Sequence, residues 1–267
     1  MSNAGTRGAI VVAALSRGVV ATIAAAFTLR LHASWIPRLV SFAVGALLGA
    51  VFLELLPHAL ESGHAPQVML TVLIGLLAFF LLEKLVLWRH AHGHDAHAVD
   101  AEESEHDHAL HGHAPIEGAR PGLMILIGNA VHSLCDGVVI AAAFLADQAL
   151  GVATTLAIVA HAVPQQVGDF AVLVHSGFAR RKAFAYNVAA GLATLVGALA
   201  TYFALGGMTE ILPTVLAIAA SSLLYVAVAD LIPSLHRRAE PIETAKQSLA
   251  IGLGLAVIAF AHLALEP

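Results

Sequence analysis

The chain has 267 residues, of which 59% are hydrophobic and only 12% charged, and its mean hydropathy is +0.84. A soluble domain carries about 25% charged residues, so this chain cannot cover a water-facing surface, and its solvent reads as lipid. The net charge of −5 argues against a nucleic-acid partner, and the single cysteine, Cys135, forms no internal disulfide and leaves the redox compartment open.

Apolar stretches long enough to cross a bilayer as helix, about 20 residues each, run near 8–29, 39–60, 68–88, 121–146, 150–177, 183–206, 211–232 and 247–265. Strand alternation is absent. The expected fold is therefore all-α: a polytopic integral membrane protein with eight transmembrane helices, forming one transmembrane domain over residues 1–267. The first span differs from the others in carrying an arginine, Arg17, near its middle. No cleavable signal peptide is expected, since the first apolar run is too long and a second span follows at once.

Lysine and arginine in the short loops set the expected orientation. Arg30 and Arg38 lie between spans one and two, and Lys84, Arg89 and Arg120 flank the third connection. Arg180, Arg181 and Lys182 form the fifth, and Arg237, Arg238 and Lys246 the seventh. The even-numbered loops offer Glu61, Asp147 and Glu210 instead. The odd loops are thus expected in the cytoplasm and both termini outside, with Arg7 and Arg17 as exceptions.

The third connection is the long one. Eight of the sixteen histidines fall in it, from His90 to His113, among Asp95, Asp100, Glu102, Glu103, Glu105 and Asp107. It has too little apolar surface to fold alone. A solvated linker is the plain alternative. But HAHGHDAH and HDHALHGH separate their imidazoles by one or two residues, which lets a flexible chain wrap a borderline metal ion. Residues 90–119 are read as a histidine-rich cytoplasmic loop.

Spans four and five carry ionisable groups in their most apolar stretches. An ionisable residue at mid-bilayer costs about 2.5–3.5 kcal/mol on insertion scales, which makes it a functional hypothesis by default. Span four runs outward and span five inward, and His132 and His161 each sit about 17 Å of helix into their spans at 1.5 Å per residue. On span four, His132 and Asp136 share a face as i and i+4. On span five, His161, Gln165 and Asp169 are i, i+4 and i+8, drifting about 40° per step. Nitrogen and oxygen donors at one depth suit a divalent ion such as zinc. Pro164 frees the carbonyl of Ala160, and freed backbone at membrane depth is tolerated where it lines a polar cavity. Gly137 and Gly168 allow close helix approach or local flexibility. The alternative is that these polar groups only hydrogen-bond neighbouring helices.

The pair HSLCDG, from His132, and HAVPQQVGDF, from His161, resembles the ZIP family of divalent metal transporters, whose fourth span usually carries HNxxDG or HNxxEG and whose fifth carries HExPxExGD in one branch. The eight spans, the outward termini, the histidine-rich third loop, LLPHALE on span two and ADLIPSLHRR on span seven are similar too. The resemblance implies a two-metal centre. Its first site falls on His132, Asp136, His161 and Gln165. Its second draws on Ser133, Asp136, Ala162 and Gln165. This chain departs from the pattern with Ser133 for Asn, Ala162 for the acidic partner of the second histidine, and Gln166 where Glu is common. One intramembrane ion is therefore expected, with the second position weak or empty. A homodimer is implied at family level only.

Outside that pair, Glu54 and His58 stand i and i+4 near the outer end of span two and can guide an ion in; an interfacial hydrogen-bonded pair is the alternative. His175 and Asp230 lie toward the cytoplasm and can mark the way out. Cys135 reads as a buried structural cysteine and His262 as interfacial. The expected function is uptake of Zn²⁺ into the cytoplasm, with Fe²⁺, Mn²⁺ or Cd²⁺ as alternative ions, by a multi-pass protein of the inner or plasma membrane. No nucleophile–base pair or phosphate loop points to an enzyme. A metal-binding paralogue or sensor that transports poorly is the competing reading.

Overall fold

A computed structural model of the chain describes residues 3–27, 35–91, 120–175, 177–236 and 240–265. The side chains of the histidine-rich segment, His90 to His113, lie outside the described residues. The described residues form helices and no strand. Eight helices are long and apolar enough to span a bilayer. They are α1 (Asn3–Phe27), α2 (Ile36–Ser62), α3 (Ala65–Ala91), α4 (Arg120–Ala146), α5 (Gln148–His175), α6 (Arg180–Leu205), α7 (Leu212–Leu235) and α8 (Pro241–Leu265). The span containing Arg17 is a full helix like the others.

The helices divide into inner and outer sets. In α3 and α8 only 17% of the most apolar window is buried, against 67% in α2, 56% in α4 and 50% in α5. Leu70, Leu73, Ile74, Leu77 and Leu81 on α3, and Leu249, Leu253, Phe260 and Leu263 on α8, are exposed. A surface of large apolar side chains is what lipid requires. α4 and α5, which carry His132, Asp136 and His161, are thus among the more enclosed helices.

Packing follows a two-fold pattern. Besides its contact with α6, α1 lies along α5, and α6 lies along α4; α3 lies along α7, as α8 does along α2; and α2 meets α5 as α7 meets α4. Exchanging α1 with α6, α2 with α7, α3 with α8 and α4 with α5 maps these contacts onto one another. Partners are an odd number of crossings apart, so the two halves run in opposite directions. The sequence carries the same repeat: Glu54-Leu-Leu-Pro57 in α2 answers Asp230-Leu-Ile-Pro233 in α7. Each acidic residue lies in a π-helical turn, Ala50–Leu55 and Val226–Leu231. Leu56 N–H donates to the carbonyl of Val51, and Ile232 N–H to that of Ala227, five residues back. Proline lacks the N–H that would close an ordinary turn, and such widened turns concentrate at functional places in helices.

Close contact between α4 and α6 rests on glycine. A Cβ on Gly137 would lie 2.0 Å from the Thr194 carbonyl oxygen, and one on Gly197 would lie 2.1 Å from that of Leu134. Small residues at such crossings let backbones meet where no water-driven force joins helices. Gly168 has nothing within 4 Å of such a position, so it does not serve close approach.

Candidate metal centre

His132 and Asp136 project from one face of α4, and His161 reaches them from α5. The Nε2 atoms of the two histidines are 3.2 Å apart. Asp136 Oδ1 lies 3.7 Å from His132 Nε2 and 3.6 Å from His161 Nε2. The rings meet edge to face, with centroids 5.4 Å apart and planes at 87°. Among the described histidine, cysteine and carboxylate groups, these three form the cluster able to share an ion. Zinc bonds of about 2.0–2.1 Å in tetrahedral geometry require donor separations of about 3.3–3.4 Å. The observed triangle, with sides of 3.2, 3.6 and 3.7 Å, admits a point about 2.0 Å from all three atoms.

The surroundings orient the donors. His161 is almost fully buried, and its Nδ1 faces the Ala157 carbonyl at 3.4 Å one turn back. A proton on Nδ1 donates to that carbonyl and leaves the Nε2 lone pair for a metal. Pro164 sits inside α5 without ending it. His132 keeps a quarter of its side chain accessible while Asp136 is buried, so the cluster opens on the His132 side.

Asp136 has a second partner. Arg17 of α1 is fully buried, and its Nη2 donates to Asp136 Oδ2 at 2.7 Å. Its Nη1 donates to Ser133 Oγ at 2.9 Å. Ser133 in turn donates to Asn129 Oδ1 at 3.4 Å. Arg17 therefore belongs to the centre, which the sequence reading treated only as an irregularity of the first span. A signal was present: buried Ile10, Ala13, Ala14, Arg17 and Ala21 form one helical stripe. An arginine on a buried stripe at mid-membrane needs an acidic partner, but the stripe cannot say which of the distant carboxylates it is.

The remaining expected residues fall around this core. Gln165 Oε1 is buried and without a hydrogen-bond partner one turn beyond His161. Asp169, a further turn on, stands outside the converging cluster, with Oδ2 buried and unpartnered. Ala162 and Gln166 are fully buried, and the Gln166 side-chain amide makes no hydrogen bond. Cys135 is partly buried and not among the converging donors. His175 ends α5, and its side chain lies outside the described residues.

Toward the C-terminal ends of α2 and α8, Glu54 pairs with His262, Oε1 to Nδ1 at 3.1 Å, rather than with His58. His58 Nδ1 instead faces the Glu54 backbone carbonyl at 3.0 Å. The three line a cavity of about 460 Å³ with Asp147, Gln148, Ala149 and Leu265. His262, expected from sequence to be interfacial, lines this polar cavity. At the other end, Asp230 is exposed and within electrostatic reach of His132 and Glu83. Glu83 accepts a hydrogen bond from Tyr225 across α3 and α7. Neither Glu83 nor Tyr225 stood out in the sequence, because a single acid near a helix end is ordinary.

Comparison with known proteins covers nearly the whole chain. Residues 5–262 match the family described as ZIP Zinc transporter. The chain is 32% identical over 251 residues to "Zinc transporter ZIP4" of Homo sapiens, covering 75% of this chain and 39% of that protein. It is 29% identical over 305 aligned positions to "Zinc transporter SLC39A7" of Mus musculus, covering 87% and 64%. It is 31% identical over 257 to "Zinc transporter ZIP13" of Mus musculus, covering 86% and 70%. The chain thus spans from about two fifths to about two thirds of these relatives' length. With eight apolar spans, two histidines converging on one aspartate and a family match over residues 5–262, the chain belongs to the ZIP family of zinc transporters.

Proposed function

We propose that the chain carries zinc across a membrane, one ion at a time, through the His132–Asp136–His161 centre between α4 and α5. The observation that carries this reading is the donor triangle, whose sides of 3.2, 3.6 and 3.7 Å lie within a few tenths of an ångström of the separations zinc requires. The printed names of the relatives support zinc as the cargo. Fe²⁺, Mn²⁺ and Cd²⁺ bind similar nitrogen and oxygen donors and are the competing ions.

The direction we infer is inward, from outside to cytoplasm. Excess lysine and arginine in the odd loops supports outward termini. The ion then meets the vestibule of Glu54, His58 and His262 first. It loses water at the His132–Asp136–His161 centre, with Gln165 as an additional oxygen donor. It leaves past Asp230, with Asp169 and His175 on the same side. The histidine-rich loop 90–119 then buffers or senses the ion in the cytoplasm. The membrane is the inner or plasma membrane, and two chains form a homodimer.

Zinc uptake into vesicles holding the purified chain tests this reading. His132→Ala and His161→Ala should each abolish saturable uptake, and wild-type protein showing none would remove it. The second reading is a metal-binding chain that does not transport. It is favoured by Ala162 and Gln166, which place no carboxylate beside His161. Zinc bound at the centre without flux would establish it.

A further inference from the structure

We propose that Arg17 is a built-in counter-cation that fixes the centre at one divalent ion and weakens its hold on that ion. The inference rests on the reading of His132, Asp136 and His161 as the metal centre. Asp136 divides its two oxygens: Oδ1 faces both imidazoles, and Oδ2 takes the guanidinium at 2.7 Å. A carboxylate can bridge two cations in this way. Here the second cation is a side chain. A second metal ion on the far side of Asp136 would need Oδ2 and the Ser133 hydroxyl, and both hold Arg17. Of the other positions implied for a second ion, Ala162, fully buried, offers no donor, which leaves Gln165 alone.

The charge follows directly. Two neutral imidazoles and one carboxylate make a donor set of −1. Arg17 brings it to zero, and arginine keeps its charge at every accessible pH. Burial removes the water that would screen the guanidinium from an incoming dication. The helix also holds Arg17 in place. Its neighbour Gly18 packs on Gly191 of α6, where a Cβ on Gly191 would lie 3.2 Å from Gly18 Cα. That contact brings α1 near enough for the side chain to reach α4. A neutral centre binds a dication less tightly and lets it go sooner, which serves turnover rather than storage.

The test compares full-length Arg17→Gln, Arg17→Lys and wild type for zinc uptake in vesicles, separating KM from kcat. Arg17→Gln removes the charge and should lower KM at least about tenfold, with kcat falling because release slows. Arg17→Lys keeps the charge but not the forked contact with Asp136 and Ser133, so its KM should stay nearer to wild type than that of Arg17→Gln. An unchanged or raised KM in Arg17→Gln, or equal behaviour of the two variants, would overturn the proposal. A purely structural arginine would lower kcat without tightening KM. The wild-type chain supplies a second measurement that does not depend on variant folding. Anomalous diffraction from crystals soaked in zinc should place one ion among His132, Asp136 and His161, with Arg17 still on Asp136. Two ions flanking Asp136, or Arg17 turned away, overturns the counter-cation while leaving the metal centre intact. No ion at the two histidines overturns the centre itself, and the proposal with it.

Discussion

Asp136→Asn keeps the shape of the side chain and removes its charge, which leaves Arg17 as a buried cation facing a neutral amide. Breaking a buried ion pair from one side costs about 3–5 kcal/mol. Insertion scales put an arginine at the centre of a membrane helix at about 2.5–3.5 kcal/mol. The two figures overlap, and both apply here, because Arg17 is fully buried and Asp136 nearly so. For a chain of this size, each kcal/mol moves the melting temperature by about 2–4 °C, so Asp136→Asn should melt roughly 6–20 °C below wild type. The double variant Arg17→Gln with Asp136→Asn replaces a charged pair by a neutral one and should recover most of that loss, since such exchanges are often near neutral. The monodisperse fraction left after heating in detergent, measured by size exclusion, reports both. Asp136→Asn melting within about 2 °C of wild type, or a double variant as unstable as the single one, would refute the claim that Arg17 and Asp136 stabilise each other.

Three further outcomes follow from the geometry. His161→Ala and His132→Ala each delete one of three convergent donors and should weaken zinc binding at least about tenfold, or about 1.4 kcal/mol, as read by titration calorimetry. Gly197→Ala should cost about 1–3 kcal/mol by overpacking and reduce uptake, because the added methyl meets the Leu134 carbonyl oxygen and pushes α4 from α6; Gly168→Ala, with open space around it, should melt like wild type. Metal needs neutral imidazoles, so zinc affinity should fall on acidification and binding should release protons. Calorimetry in buffers of different ionisation enthalpy measures that release, and a heat independent of buffer would count against histidine ligation.

The tertiary structure supplied partners that no span can name. Glu54 and His58, one turn apart on α2, read as a pair in sequence, yet the Glu54 carboxylate meets His262 of the adjacent α8 and His58 faces its own helix backbone. Helical spacing brings side chains to one face but does not decide which of them a third helix will engage. Cys135 and Asp169 show the converse: each neighbours the centre in sequence, and neither joins the donors that converge.

The eight spans were legible in the sequence, because crossing hydrocarbon demands about 20 apolar residues in a helix that satisfies its own backbone. The sequence also marked His132, Asp136 and His161 as candidates, since polar groups are costly in lipid; their convergence comes from the packing of α4 against α5. The two-fold exchange of α1–α3 with α6–α8 was written in the Glu54 and Asp230 segments, but it becomes visible only when their π-turns and packing are compared. The cation beside His132, Asp136 and His161 was not legible in the sequence. Arg17 and Asp136 are 119 positions apart, and local periodicity carries no information over that distance. Their pairing is set by α1 lying against α5 and α6 at Gly18 and Gly191, which puts a guanidinium within hydrogen-bond reach of the one carboxylate that also faces both histidines.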